Sequence, residues 1–231
     1  THPNDLGFAH YAGPLLNLGD VGVPPGNPYF SYTKTVDGRA QHATKYATTD
    51  QVDDALKWIG AQSGPWFLYL AFNAPHVPLH APPAALHSNK ALVSRTADNR
   101  RECYKAMIEA MDSEFGRLLA GLPQAALEHT TILFMADNGT PDDMILAPFD
   151  AERGKGSVYE EGIHVPLIVR SPLVKRPGSF CEALVDTSDV FATVAELAGI
   201  DLARDGVVPA GVALDSISFA SNVVDSKRPS A

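Results

Sequence analysis

Four side chains stand where an apolar run or a rigid turn hands over to polar residues, and these could carry chemistry. Asp137 and Asn138 follow directly on the apolar run 131–136. Their oxygens suit a hard cation such as calcium or magnesium. Asp137-Asn138-Gly139 is also strong turn chemistry, and spacing alone favours the turn over a metal site. His76 lies within Pro75-His76-Val77-Pro78. The two prolines restrict the backbone and could fix the direction of the imidazole. A histidine so held can act as acid, base or donor to an anion. A loop histidine on a rigid turn is an equal reading of the same residues. Lys155 sits between glycines in Gly154-Lys155-Gly156-Ser157. Glycine lets the backbone come close to an anion and the ammonium adds a point charge. The spacing is not that of a Walker A loop, and the pattern alone favours a solvated loop lysine.

The remaining reactive groups read as structural or solvated. His80 and His87 lack the double-proline setting and are expected on the surface. Asp142-Asp143 is expected in a solvated loop rather than in a second metal site. Cys103 falls on a strong amphipathic pattern and reads as structural rather than nucleophilic. Cys103 and Cys181 are the two cysteines. No CxxC spacing links them, which argues against zinc, and a disulfide between them is left open.

Elements must position these residues. Trp66–Phe72 is a continuous apolar, aromatic-rich run bounded by breakers, which predicts a strand buried on both faces. It runs straight into the His76 turn. Thr131–Ala136 predicts a second such strand and Val165–Arg170 a third, and Leu184-Val185 could begin a short fourth. Between them lie helical patterns. Thr48 and Gln51 have capping-box spacing, and Val52, Ala55, Leu56 and Ile59 repeat as one face. Residues 100–120 predict the clearest helix, with Tyr104, Met107, Ile108, Met111, Phe115, Leu118 and Leu119 as its apolar stripe. Residues 188–198 predict another, with Val190, Phe191, Val194 and Leu197 inward and Gly199 as terminator. Strands alternating with helices imply an α/β fold, with a mostly parallel sheet and helices on both faces. In such folds ligands bind beyond the carboxyl ends of strands, where His76 and Asp137-Asn138 would sit. Residues 1–45, with the breaker cluster Pro24-Pro25-Gly26-Asn27-Pro28, read as a loop-rich lead-in.

Composition narrows the classes. In 231 residues, 45% are hydrophobic and 19% charged, enough to bury a core. A formal net charge of -9 argues against a general nucleic-acid binder. It leaves an anionic substrate open, because local positive charge at the site is what matters. No apolar run approaches the roughly 18–20 residues that span a bilayer. The chain opens Thr-His-Pro-Asn-Asp, without an apolar leader, and closes in Lys-Arg-Pro-Ser-Ala. Both ends read as cut points.

The order and wording of these segments resemble the sulfatase family of the alkaline phosphatase superfamily. The run 66–82 resembles the family segment that brings a histidine to the sulfate. Residues 104–112, continuing through 116–119, resemble the helix that follows it. Thr131–Gly139 resembles the strand whose terminal Asp-Asn binds calcium. Gly154–Pro166 resembles the segment with a sulfate-contacting lysine, departing at Glu161, where a glycine is common. Residues 185–189 through 197–199 resemble the closing strand and helix. The likeness covers about 45–220.

The resemblance implies a partial alkaline-phosphatase-like core over 46–220, followed by a truncated tail at 221–231. It implies a sulfuric ester hydrolase acting on a sulfate-ester small molecule or glycan. Asp137 and Asn138 would be calcium ligands. His76 would bind the sulfate or help protonate the leaving oxygen, and Lys155 would neutralise sulfate charge and assist that leaving group. These groups are expected to gather around one anion-sized hollow. The family's formylglycine nucleophile, made within a C/S-x-P/A-x-R motif, is absent, since neither Cys103 nor Cys181 lies in one. The early Asp-Asp pair of the calcium site is absent too, and the Lys-x-His element would lie upstream of Thr1. The chain is therefore expected to carry part of an active site and to be inactive alone. Losing the early strands should expose a sheet edge, so self-association is expected. Relatives are often periplasmic or secreted. A phosphonate or phosphodiester hydrolase and a noncatalytic binding module remain the alternative readings.

Overall fold

The structure is a computed structural model describing residues 2–18, 26–209 and 211–227. The first two prolines of the 24–28 breaker cluster and residues 228–231 of the tail lie outside the described residues. The chain divides into two compact units, 1–124 and 125–231.

Unit 1 begins with a three-stranded antiparallel sheet in the order β1-β2-β3: Ala12–Gly13, Tyr32–Val36 and Arg39–Ala43. The lead-in is thus more ordered than its breaker content implied. The β2–β3 turn is Asp37-Gly38, and both residues have positive φ, 46° and 79°. A two-residue Asp-Gly link is the turn whose twist suits a hairpin. Helix α1 follows at Ala47–Gly60. The expected capping box does not form. The N-cap is Tyr46 and makes no side-chain cap bond. Gln51 turns instead toward the segment carrying His76, donating to the carbonyl of Ala71 at 2.8 Å and to Asn73 Oδ1 at 3.1 Å.

Helix α2 spans Arg100–Gly121. Its buried positions are Cys103, Ala106, Met107, Ala110, Glu114 and Leu118. The stripe is rotated from the expected one, and Ile108 is exposed. The rotation has a polar cause. Buried Glu114 accepts from Thr49 Oγ1 of α1 at 2.8 Å and pairs with Arg117 at 2.6 Å. Arg117 also reaches Asp53 of α1 at 2.8 Å. Polar cross-links between the two helices thus select which face of α2 turns inward.

The core of unit 1 is Val52, Ala55, Ile59 and Leu118, with Trp66, Leu68, Leu70 and Phe72 packed against it. Fully burying one such aliphatic side chain contributes about 1.5–3 kcal/mol. The apolar run 66–72 therefore has one inward face. Its alternate residues Phe67 and Tyr69 are 56% and 72% exposed. Among the described residues the run pairs with no strand. The expectation of a paired strand buried on both faces is corrected to an extended segment held by one face.

Short helix α3, Gln124–Leu127, leads into unit 2. There β4 (Ile132–Met135) pairs with β5 (Leu167–Arg170). The pairing is antiparallel, Ile132 opposite Arg170 and Met135 opposite Leu167. The described sheets are small and antiparallel, and the mostly parallel sheet is not among them. The physical reason is the link between β4 and β5. It carries only short 3-10 turns and one-turn α4, Glu160–Ile163, so no long helix crosses over to bring the second strand back in the same direction. Helix α5 is Asp189–Leu197. It buries Ala192, Thr193 and Ala195 and leaves Phe191 exposed, contrary to the predicted inward face. Thr193 explains part of this: its hydroxyl accepts from the amide of Phe219, just before α6 (Ala220–Val224), at 2.9 Å. Gly199, at φ 76°, closes α5 as predicted. No strand forms at Leu184-Val185.

Candidate functional site

In unit 1 the extended run ends in a turn that presents His76. The His76 amide donates to the Asn73 carbonyl at 2.9 Å. The peptide bonds preceding Pro75 and Pro78 are cis. His76 Nδ1 lies 3.0 Å from the Val77 carbonyl, which can only accept, so Nδ1 carries the proton. In the neutral ring Nε2 is then the bare nitrogen. Once protonated it would be a donor to an oxyanion.

Below this turn lies an aromatic cluster of Tyr29, Phe30, Tyr46 and His80. His80 is 3% exposed and His87 is 4%, which overturns their expected surface placement. Three rings surround His80, with Tyr29 at 4.3 Å, Tyr46 at 5.6 Å and Phe30 at 5.7 Å between centroids. His80 Nδ1 donates to the Pro78 carbonyl at 2.9 Å, and Nε2 accepts from the Tyr46 hydroxyl at 3.2 Å. Burial lowers its pKa, against the opposing pull of the Pro78 carbonyl. A neutral imidazole with both nitrogens satisfied is a core residue. His87 Nε2 donates to the Pro82 carbonyl at 3.2 Å, while its buried Nδ1 has no hydrogen-bond partner among the described residues. Sequence reasoning passed over these two because periodicity does not register burial under a loop.

Tyr29 was also missed. It is fully buried, and its hydroxyl lies 2.7 Å from the Asn73 carbonyl and 2.8 Å from the His76 carbonyl. Burial pushes the phenol pKa well above its ordinary value, with Tyr46 adding to the effect, so it is a donor at every working pH. No spacing rule marks a tyrosine 44 residues upstream of its partner.

Cys103 is wholly buried in α2, its Sγ 3.7 Å from Asn99 Oδ1. Burial raises its pKa, which disfavours the thiolate and fits the structural reading. Cys181 is exposed, and both cysteines are free.

In unit 2, β4 delivers Asp137 and Asn138. Ala136 donates to the Pro166 carbonyl at 3.3 Å and Gly139 to the Gly162 carbonyl at 2.9 Å. Next, the Lys155 amide donates to the Thr140 carbonyl at 2.8 Å. Two sequence-selected segments, 137–139 and 154–156, are thereby brought together by backbone bonds. The approach is close enough to require glycine. A Cβ on Gly154 would lie 2.5 Å from both Thr140 O and Asp142 Oδ1, and one on Gly139 would lie 2.1 Å from Glu161 O. The sequence reading credited Gly154 with letting an anion approach, whereas here it admits the neighbouring backbone.

Asp137 and Lys155 are exposed and Asn138 is half-buried. None of the three side chains has a hydrogen-bond or ion-pair partner among the described residues. Beside them Arg153 stacks on Tyr159, 4.5 Å from the ring centre, and pairs with Asp150 at 3.0 Å. Asp142 and Asp143 open a 3-10 turn and are exposed, as expected of solvated carboxylates.

The chemistry of the Asp137-Asn138 donors fits a calcium ion, which takes about 6–8 oxygen ligands. The number does not suffice: among the described residues no three His, Cys, Asp or Glu side chains group closely enough to hold a metal. The pair could supply two ligands of such a set. No described helix is long and apolar enough to cross a membrane.

Comparison with known proteins places this geometry in context. The family model described as Sulfatase matches residues 4–200. An uncharacterized sulfatase, YdeN, of Escherichia coli (strain K12) is 29% identical over 88% of this chain and 36% of its own length. Arylsulfatase J of Mus musculus is 27% identical over 98% of this chain and 38% of its own. The chain thus spans well under half the length of these relatives. Among solved structures, Ps i-CgsB superposes with a TM-score of 0.77 at 26% identity, covering 97% of this chain and 52% of that one. BT4656, in complex with D-glucosamine-2-N,6-O-disulfate, superposes with a TM-score of 0.69 at 16% identity, a likeness of fold.

Proposed function

Because this chain belongs to the sulfatase family, we propose that it contributes part of the active site of a sulfate monoester hydrolase. The observation that carries the reading is the pair of backbone bonds in unit 2. Thr140 to Lys155 and Gly139 to Gly162 set the Asp137-Asn138 end of β4 beside the Lys155 loop. Asp137 and Lys155 are exposed and Asn138 is half-buried, so all three side chains on this constrained support are open to a ligand from solvent.

The roles follow from charge and protonation. Lys155 offers a compact cation to the sulfate oxygens. Asp137 and Asn138 would hold a calcium ion, whose charge when bound would stabilise negative charge on the transferred group. His76, protonated at Nε2, would donate to a sulfate oxygen or to the leaving oxygen. No formylglycine motif occurs in this sequence, so the attacking group is not supplied by these residues. The substrate class favoured by the relatives is a sulfated small molecule or glycan.

Binding of inorganic sulfate to the 231-residue chain, measured by calorimetry with calcium present, tests this reading. Saturable binding that is lost in Lys155→Ala and weakened in His76→Ala is expected, with no turnover of an aryl sulfate. Sulfate binding indifferent to both substitutions, or robust turnover by this chain, would refute it.

A further inference from the structure

Tyr29 grips the His76 turn at two places. Its single hydroxyl proton is shared between the carbonyls of Asn73 and His76, at 2.7 and 2.8 Å. These two carbonyls bracket the turn, since the His76 amide closes it onto Asn73. The ring that carries the hydroxyl cannot shift. It is 0% exposed and stacked at 4.3 Å on His80, which is itself pinned by Pro78 and Tyr46. The Tyr29 carbonyl accepts from the amide of Ala47, tying the same residue to the first turn of α1. From that helix Gln51 holds Ala71 and Asn73 on the other flank.

We propose that Tyr29 is a positioning residue for His76, orienting the peptide group that follows His76 so that Nδ1 meets the Val77 carbonyl and Nε2 is left as the nitrogen facing a ligand. The geometric link is short. Tyr29 binds the carbonyl of His76, and the His76 ring binds the carbonyl one residue on, at 3.0 Å. Holding the first carbonyl fixes the rotation of the intervening chain and hence the direction of the second. With the second carbonyl in place Nδ1 must carry the proton. Releasing it lets the proton settle on either nitrogen. The inference rests on the proposed role of His76 in meeting an oxyanion, which it deepens.

The test compares the full chain with Tyr29→Phe, which keeps the buried ring and removes the hydroxyl. Long-range proton–nitrogen NMR correlations of the histidine rings report which nitrogen of His76 is protonated, and a sodium sulfate titration reports its engagement. In the unsubstituted chain His76 should show the Nδ1-protonated form. In Tyr29→Phe it should show a mixture of the two forms, and sulfate should bind about 2–10-fold more weakly, because the doubly protonated ring that donates Nε2–H to sulfate loses the fixed Val77 carbonyl that accepts its Nδ1–H, the loss expected for one net hydrogen bond. His80 should keep its own form, which separates the effect from a general loosening of the cluster. An unchanged His76 pattern with unchanged sulfate affinity would overturn the proposal. If sulfate leaves His76 unmoved in the unsubstituted chain, its proposed role fails, and the protonation pattern alone then decides for or against Tyr29. Should Tyr29→Phe not fold, 3-fluorotyrosine at position 29 keeps the ring and strengthens the donor, and it should tighten sulfate binding by the chain. No change there would count against the proposal.

Discussion

Replacing Lys34 by methionine probes a buried cation of unit 1. Lys34 is 6% exposed, in β2, with its Nζ 2.9 Å from Asp50 and 2.5 Å from Asp54. Asp50 is 8% exposed and accepts a second bond from Tyr32 at 2.6 Å. Lys34→Met removes the cation and leaves the Asp50 carboxylate buried with the tyrosine hydroxyl. Stranding one partner of a buried pair costs about 3–5 kcal/mol. Three features place this case at the low end, about 3 kcal/mol. Tyr32 remains, Asp50 lies in the first turn of α1 where a negative charge is favoured, and the Asp54 side chain is 26% exposed and can be hydrated. For a unit of this size that is a fall in melting temperature of about 10 °C. Both tryptophans, Trp58 and Trp66, lie in unit 1 in edge-to-face contact at 6.3 Å, so their fluorescence follows this unit. Adding Asp50→Asn to Lys34→Met removes the stranded charge and should recover more than half of the loss. Burial alone would lower the Lys34 pKa, yet its bonds to Asp50 and Asp54 prevail and raise it. The contribution is therefore complete below the unfolded lysine value of 10.5 and is lost as pH rises through the higher folded one. A melting shift under about 3 °C for the single substitution, or a double variant no better than the single, would refute the reasoning.

Three further outcomes follow from the same structure. Gly154→Ala drives a Cβ to within 2.5 Å of Thr140 O and Asp142 Oδ1. It should destabilise unit 2 by about 1–3 kcal/mol, seen as faster hydrogen exchange at the Lys155 amide, and unchanged exchange would contradict the close approach. His80 is held neutral by burial with its pKa lowered, so its contribution is complete above the unfolded value of 6.5 and lost as pH falls through the lower folded one. His80→Gln should flatten that acid limb of the stability profile, and an identical slope in both proteins would exclude His80 as its source. Exposed Phe67 and Tyr69, on a run without a strand partner among the described residues, should drive self-association detectable by light scattering. Tyr69→Lys should reduce it, whereas a clean monomer of the unsubstituted chain would count against an active edge.

The residues proposed for chemistry stand out in the sequence because each sits at a local discontinuity. Asp137-Asn138 ends an apolar run, Lys155 stands between glycines and His76 between prolines, and all three are features of neighbouring positions in the chain. Helices α1, α2 and α5 were legible for the same reason, as apolar recurrence over about two to six turns. The Asp37-Gly38 hairpin carried an equally local signal that the breaker-rich lead-in obscured.

What the sequence determined by itself was therefore everything encoded between near neighbours: where the helices run, where the apolar runs stop, and which polar residues stand at those ends. Tertiary structure alone decided which face of α2 turns inward, because Glu114 answers to Thr49 and Arg117 rather than to the hydrophobic period. It alone buried His80 beneath Tyr29 and gave Tyr29 its hold on a turn 44 residues away. It also set β4 against β5 antiparallel and left the run 66–72 with one buried face. Strand partners and buried polar bonds join residues far apart in the chain. Their energies depend on desolvation and on distances that no single segment contains.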